Sequence, residues 1–194
     1  MDPDQLEPDF WPDIDIDLTG ATLIDFTLAE CTIATVSFRS ATFIGGAVFG
    51  GAEFGGTAEF GGAKFGGTAR FDGAKFGGDA EFHGAEFGGN AWFHGAEFGG
   101  FAVFDGAEFG GNARFDLAEF GGDARFGGAE FGGFAVFDGA EFGGNARFDL
   151  AEFGGDVWFV GAVHNGRAFV SAKHGVRVRR PADEPDSDEG PSPA

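Results

Sequence analysis

Glutamate recurs at Glu97, Glu119 and Glu141 with a step of 22 residues, and again at Glu86, Glu108, Glu130 and Glu152 with the same step. Carboxylates at fixed spacing can serve acid–base catalysis, metal ligation or recognition of a basic partner. The first two need a second kind of group that converges on the carboxylate inside a pocket. The sequence offers four histidines, one cysteine and no tyrosine. His83 and His94 are 11 residues apart, half of the glutamate step, so they fall on opposite sides of whatever carries the glutamates. No catalytic, metal or cofactor residue is therefore assigned, and no enzyme is expected. Recognition by charge remains. A second column with the same step reads Val48, Arg70, Trp92, Arg114, Val136, Trp158. Arginine and tryptophan together are typical anchors of protein interfaces, although scattered exposed aromatics are equally ordinary. The candidate interaction surface is Trp92, Trp158, Arg114, Glu97, Glu119 and Glu141.

The elements that must position these residues are read from phenylalanine. From Phe43 to Phe159 the Phe residues, apart from Phe101 and Phe134, advance in alternating steps of six and five, and Ala stands two residues before each, with Val157 as the sole substitute. Upstream the step is a plain five, through Leu18, Leu23, Leu28, Ile33, Phe38 and Phe43. A disordered Phe-Gly segment has no reason to hold such spacing. Calcium-binding nonapeptides and flat threonine ladders are also missing from the pattern. One short unit has been copied many times, and stacked copies bury what a single copy cannot.

Units such as "ATLID", "FTLAE", "CTIAT", "VSFRS" and "AEFGG" resemble pentapeptide repeats over about residues 16–163, with a small residue two before a central Leu or Phe. The resemblance implies an all-β fold: a right-handed quadrilateral β-helix with one unit per side, in which the small and central residues point inward. The alternating sixth residue makes a 22-residue coil (5+6+5+6) after the initial plain region, and the central residues amount to nearly seven coils. At about 4.8 Å per coil the rod is roughly 30–35 Å long. The core is expected to include Leu18, Leu23, Leu28, Ile33, Phe38, Phe43, Phe115 and Phe120, with Cys31 at an inward small position. The sixth residues are Gly46, Thr57, Thr68, Asp79, Asn90, Phe101, Asn112, Asp123, Phe134, Asn145 and Asp156. Most are turn formers, so they are expected at corners with positive φ, their side chains bonding back to the local backbone. A convex rod of this kind is expected to have no cleft.

The net charge is −20, with −7 in residues 1–17, −11 in 18–176 and −2 in 177–194. Such a body disfavours direct binding of nucleic acid and favours a protein partner that is basic or itself DNA-binding. Two readings of the acidity stay open: solubility of a Phe-rich rod, which we favour, and adaptation to a salty host, since three of twelve bases are lysines. One cysteine gives no disulfide framework, and no apolar run is long enough for a membrane helix. A cytoplasmic location without membrane contact is expected; the pattern does not set the oligomeric state. Residues 1–17 are expected to be an acidic arm too rich in Pro and Asp to form a strand, with Phe10 and Trp11 as a cap. The solenoid is expected to cover 18–176, with His164 and Val170 standing where Phe is due. The stretch "GVRVRR" is expected to be a last strand or a basic end before a disordered acidic tail.

Some pentapeptide-repeat proteins mimic the size and charge of DNA and bind type II topoisomerases, and this is the second reading the resemblance implies. The first is a non-catalytic acidic interaction rod or scaffold. One further regularity bears on function: residues 95–123 repeat as 128–156 without a change. The offset of 33 is one and a half coils, so the copy is expected to carry its side chains on the reverse faces and to scramble any binding site between them.

Overall fold

The computed structural model describes residues 14–170 and the strand Arg177–Val178. The expected cap residues Phe10 and Trp11 and the acidic tail lie outside these. Every described element is a strand, and most from Glu53 onward are two residues long. The pairing is parallel from coil to coil. Asp15 faces Thr35 and Leu23 faces Phe43, an offset of 20 from four plain five-residue units. A register shift between Ile24 and Phe26 then lengthens the coil, so that Phe26 faces Ala47 and Val36 faces Ala58. From there the step is 22, as in Trp92 opposite Arg114 and Glu97 opposite Glu119. Four stacks of strands result, and Thr42–Val48 runs around a corner to join two of them into one sheet.

Backbone polarity alternates between the faces. On the five-residue sides that carry no Gly-Gly, N–H groups donate to the coil ahead (Phe93 N to Arg114 O, 2.7 Å). On the sides that end in Gly-Gly they donate to the coil behind (Glu97 N to Ala74 O, 2.9 Å). We call these the arginine faces and the glutamate faces after the residues they display.

Inside, Phe rings form four columns. Phe115 is fully buried, stacks on Phe93 (4.9 Å between centroids) and Phe137 (5.0 Å), and meets Phe104 and Phe126 edge-on at 5.3 Å. Phe38, Phe43 and Phe120 are equally buried, and Ile33 nearly so. Leu18, Leu23 and Leu28 belong to the first coil and are half-buried against it. Alanine beside each ring is forced by volume: a parallel stack at coil spacing fills the cross-section, leaving room for one methyl.

Cys31 is exposed rather than core. It stands in the first coil, where the described chain stacks on it from one side only through the strand Glu53–Phe54, and its Sγ lies 3.4 Å from the Ala29 carbonyl. The arm also departs from expectation: Asp15–Asp17 is a strand, because Ile16 alternates inward against the core.

The corners work differently from the sequence expectation. From Gly51 to Gly161 positive φ occurs not at the sixth residues but at the opposite pair of corners, each a turn in which residue i+3 bonds back to residue i. Gly95 (φ 61°) sits at i+2 of such a turn, with Ala96 N to Phe93 O at 3.1 Å, as in a type II turn. The Gly-Gly corners need glycine for another reason: a Cβ at Gly89 would lie 2.6 Å from the Gly67 carbonyl one coil below. Nor do the Asx side chains bond locally. Asp79 accepts the Phe101 N–H (2.9 Å), Asn90 that of Asn112 (3.0 Å) and Asp123 that of Asn145 (2.9 Å), each one coil ahead. That last bond holds the Asp123 carboxyl below its ordinary pKa.

The far end closes by a device the repeat does not contain. Val163–His164 pairs antiparallel with Arg167–Ala168 through a turn at Asn165 and Gly166, both at positive φ. This hairpin lays Phe169 over Phe159 (4.6 Å) and Phe142 (5.1 Å), completing the core where His164 takes the place of a ring. Beyond it, Arg177–Val178 adds a parallel strand beside Glu152–Phe153.

Candidate protein-interaction surface

The outward positions form four columns, one per face. On one glutamate face the register aligns Glu53, Lys75, Glu97, Glu119 and Glu141; on the other, Lys64, Glu86, Glu108, Glu130 and Glu152. Lysine relieves the repulsion near the N-terminal end. Lys64 Nζ is 2.6 Å from Glu86, and Lys75 Nζ is 3.8 and 3.9 Å from Glu53 and Glu97. Among the described residues no basic side chain pairs with Glu108, Glu119, Glu130 or Glu141. Like charges directly opposed on neighbouring strands destabilise, so these rows keep an unrelieved negative field.

Shallow grooves run beside both columns, contrary to the expectation of a rod without clefts. One, of about 370 Å³, extends from Lys64 past Glu86 and Glu108 to Glu130; the other, of about 340 Å³, from Lys75 past Glu97 to Glu119. They exist because the residue after each Phe is glycine there, as at Gly88, Gly99 and Gly110. A Cβ at these positions would press within 3.1–3.3 Å of a carbonyl on the coil below.

The arginine faces are neutralised from within. Arg70 pairs with Asp72 (3.1 Å), Arg125 with Asp105 (2.5 Å), Arg147 with Asp149 (3.0 Å) and Arg39 with Glu59 (2.8 Å). Arg114 is the most firmly held. It makes two bonds to Asp116 (2.9 and 2.8 Å), and His94 Nδ1–H donates to the same carboxylate at 2.6 Å from the coil below. Asp116 is the one buried charged residue among those described. Burial raises its carboxyl, but the bonds and charges of Arg114 and His94 outweigh that and leave its pKa below the usual range; the same bond raises the Arg114 guanidinium. The 22-residue spacing of His94 and Asp116, with Arg114 two residues before, was the signal for this cluster in the sequence. His83 lies on the other arginine face, 3.9 Å from Glu81.

The tryptophans sit in one column but in different surroundings. Trp92 is half-buried, with the Arg70 guanidinium 5.0 Å from its ring, a contact that partly satisfies both. Trp158 is 39% exposed and leans on Phe134 (5.6 Å). The structure therefore brings Glu97, Glu119 and Glu141 together on one face and Trp92, Arg114 and Trp158 on the adjacent one. Among the described residues no three potential metal ligands cluster, and no helix is long and apolar enough to cross a membrane.

A family model for pentapeptide repeats in nine copies matches overlapping segments at residues 18–64, 60–107, 82–130, 104–151 and 116–163. The chain belongs to the pentapeptide-repeat family. Among solved structures, this pentapeptide-repeat protein is similar to HetL, a pentapeptide repeat protein involved in heterocyst differentiation regulation from the cyanobacterium Nostoc. The identity is 17% over 80% of this chain and 84% of that one, with a TM-score of 0.26. It is also similar to full-length QnrB1, a plasmid-mediated fluoroquinolone resistance protein, at 17% identity over 79% of this chain and 94% of that one, with a TM-score of 0.17. No curated protein sequence matches it.

Proposed function

We propose that this pentapeptide-repeat protein is a non-catalytic rod that binds a basic protein surface through its glutamate faces, acting as an interaction or scaffold module in the cytoplasm. The observation that carries this reading is the unequal treatment of charge. Arginines on the two arginine faces are tied to acids of their own face, whereas Glu108, Glu119, Glu130 and Glu141 stand in rows with no basic partner among the described residues. Such rows raise the local concentration of a cationic partner and repel phosphate backbones, so the partner is a protein rather than nucleic acid. A DNA-binding protein fits this reading through its own basic surface.

A second reading follows from the two negative columns on opposite faces, which suit a DNA mimic that occupies the duplex channel of a type II topoisomerase. The two readings separate in a gyrase supercoiling assay with purified protein and a Glu97→Lys/Glu119→Lys/Glu141→Lys variant. The rod reading expects no inhibition by either at micromolar concentration. Inhibition by the natural protein that the charge-reversed variant loses establishes the mimic instead.

A further inference from the structure

The two glutamate faces differ at their N-terminal ends, in the column that makes the groove floor. On the face that carries Glu86 this column reads Ile24, Ile44, Gly66, Gly88, Gly110 and Gly132, each the residue after a central Leu or Phe. On the face that carries Glu97 the same column begins with Ala34 and Gly55. Ile24 stands directly opposite Ile44 on the neighbouring strand, and Gly66 follows in line on the next coil, where Phe43 faces Phe65. Both isoleucines are exposed, at 71 and 50%. They form an apolar step at the head of the groove, which runs on past Glu86 and Glu108 to Glu130.

Single exposed apolar residues are ordinary. Here two β-branched side chains lie in register and continue into a groove, which makes them a patch rather than scatter. The charge beyond the step is graded. Lys64 comes first and is paired with Glu86 at 2.6 Å, so that stretch is neutral. Glu108 and Glu130 follow, with no basic side chain paired to either among the described residues. From the Ile44 coil to the Glu108 coil is three steps, about 14 Å, over a floor of glycine.

We infer that the face carrying Glu86 docks one extended segment of a partner protein: a pair of apolar residues that covers Ile24 and Ile44, a spacer of small residues along the groove, and two basic side chains at Glu108 and Glu130. This rests on the reading of the glutamate faces as binding surfaces, and goes further by selecting one face and the order of the partner's residues. Charge complementarity sets the basic half of the segment, and continuity of the isoleucine step with the groove sets the apolar half. At about 3.3 Å per extended residue the spacer is about four residues long. Exposed ion pairs contribute little by themselves, so covering the isoleucines supplies the affinity and the glutamates supply the orientation. The opposite face has no such step and is left with charge alone.

The test measures fluorescence anisotropy of two labelled peptides with the full chain at low salt. One peptide carries two isoleucines, a Gly/Ser spacer of about four residues and two lysines; the other has serines in place of the isoleucines. The natural chain is expected to bind the isoleucine peptide about tenfold more tightly. Ile24→Thr/Ile44→Thr keeps branching at Cβ, and so the fit to a strand; it should erase that preference while leaving the serine peptide unchanged, the signature of direct contact in a double-mutant cycle. Glu108→Gln/Glu130→Gln should weaken both peptides, and Glu119→Gln/Glu141→Gln should spare the isoleucine peptide. Equal binding of the two peptides, or a preference that survives the isoleucine variant, would overturn the inference. So would self-association of the natural chain in sedimentation that the isoleucine variant abolishes, because the occupant would then be a second copy. If the glutamate pairs of both faces weaken the peptides equally and the isoleucines have no effect, the glutamate-face reading survives and the anchored site does not. Failure of both peptides to bind would sink both.

Discussion

Phe115→Ala is expected to destabilise the rod by about 3–5 kcal/mol, the cost of emptying a buried aromatic site. The ring has parallel neighbours above and below, Phe93 and Phe137, and edge contacts with Phe104 and Phe126. Truncation leaves a void that backbone hydrogen bonds on all sides keep from collapsing. In a stack where each coil contacts only its neighbours, the loss falls on the interfaces of one coil and weakens cooperativity between the halves. Thermal melting should drop by on the order of 10 °C. Phe101→Ala serves as the internal control: the same chemical change at an exposed corner should stay within about 0.5 kcal/mol. Equal melting shifts for the two variants would contradict the inward assignment of the periodic phenylalanines.

Glycine at the Gly-Gly corners gives the second large effect. Gly89→Ala places a methyl 2.6 Å from the carbonyl carbon and oxygen of Gly67 and 2.9 Å from Thr68 N, all of them backbone atoms fixed by the stack. Neither coil can move without stretching the ladder, so a cost of about 3 kcal/mol is expected, at the upper end of the overpacking range. Gly84→Ala differs in kind. Gly84 has φ 61° and open space where its Cβ would be, so the penalty is conformational alone, about 1 kcal/mol. Urea titration of both variants measures the difference. A Gly89 variant no less stable than the Gly84 variant would contradict close approach of the stacked backbone as the reason for glycine at the Gly-Gly corners.

The fold was largely legible because one constraint generates it. A ring stack at coil spacing demands Phe at fixed intervals and a small neighbour, and both are written in the periodicity from Phe43 to Phe159. The outer columns followed from the same count, which is why Glu97, Glu119 and Glu141 could be aligned before their register was seen. What escaped depends on distances that a period does not encode. Composition at Asn90 or Asp123 suggested a local turn, yet the side chain reaches the N–H one coil ahead. The sixth residues suggested positive φ, whereas the glycine pairs before them are set by close approach of the stacked backbone. Phe169 lies outside the five–six rhythm, so only the antiparallel hairpin reveals it as the plug of the core. The grooves were missed for a related reason: they arise where side chains are lacking, and counting outward side chains does not find them.

For the interaction surface, spacing identified the columns but not which charges remain available. Arg114 is expected to be a contact residue, and the structure gives it two bonds to Asp116, so its charge is already paired within the rod. Trp92 is likewise engaged by Arg70. The glutamates keep theirs, and this shifts weight from the Trp–Arg column to the glutamate faces.

Affinity capture from the native host, quantified by mass spectrometry, tests that shift most directly when the natural chain is compared with Glu97→Gln/Glu119→Gln/Glu141→Gln and with Arg114→Gln. The glutamate variant is expected to lose a basic protein, with capture by the natural chain falling steeply as salt is raised, and the Arg114 variant to retain it. A captured set unchanged by removal of the three glutamates, or lost on removal of Arg114 alone, would contradict binding through the glutamate faces.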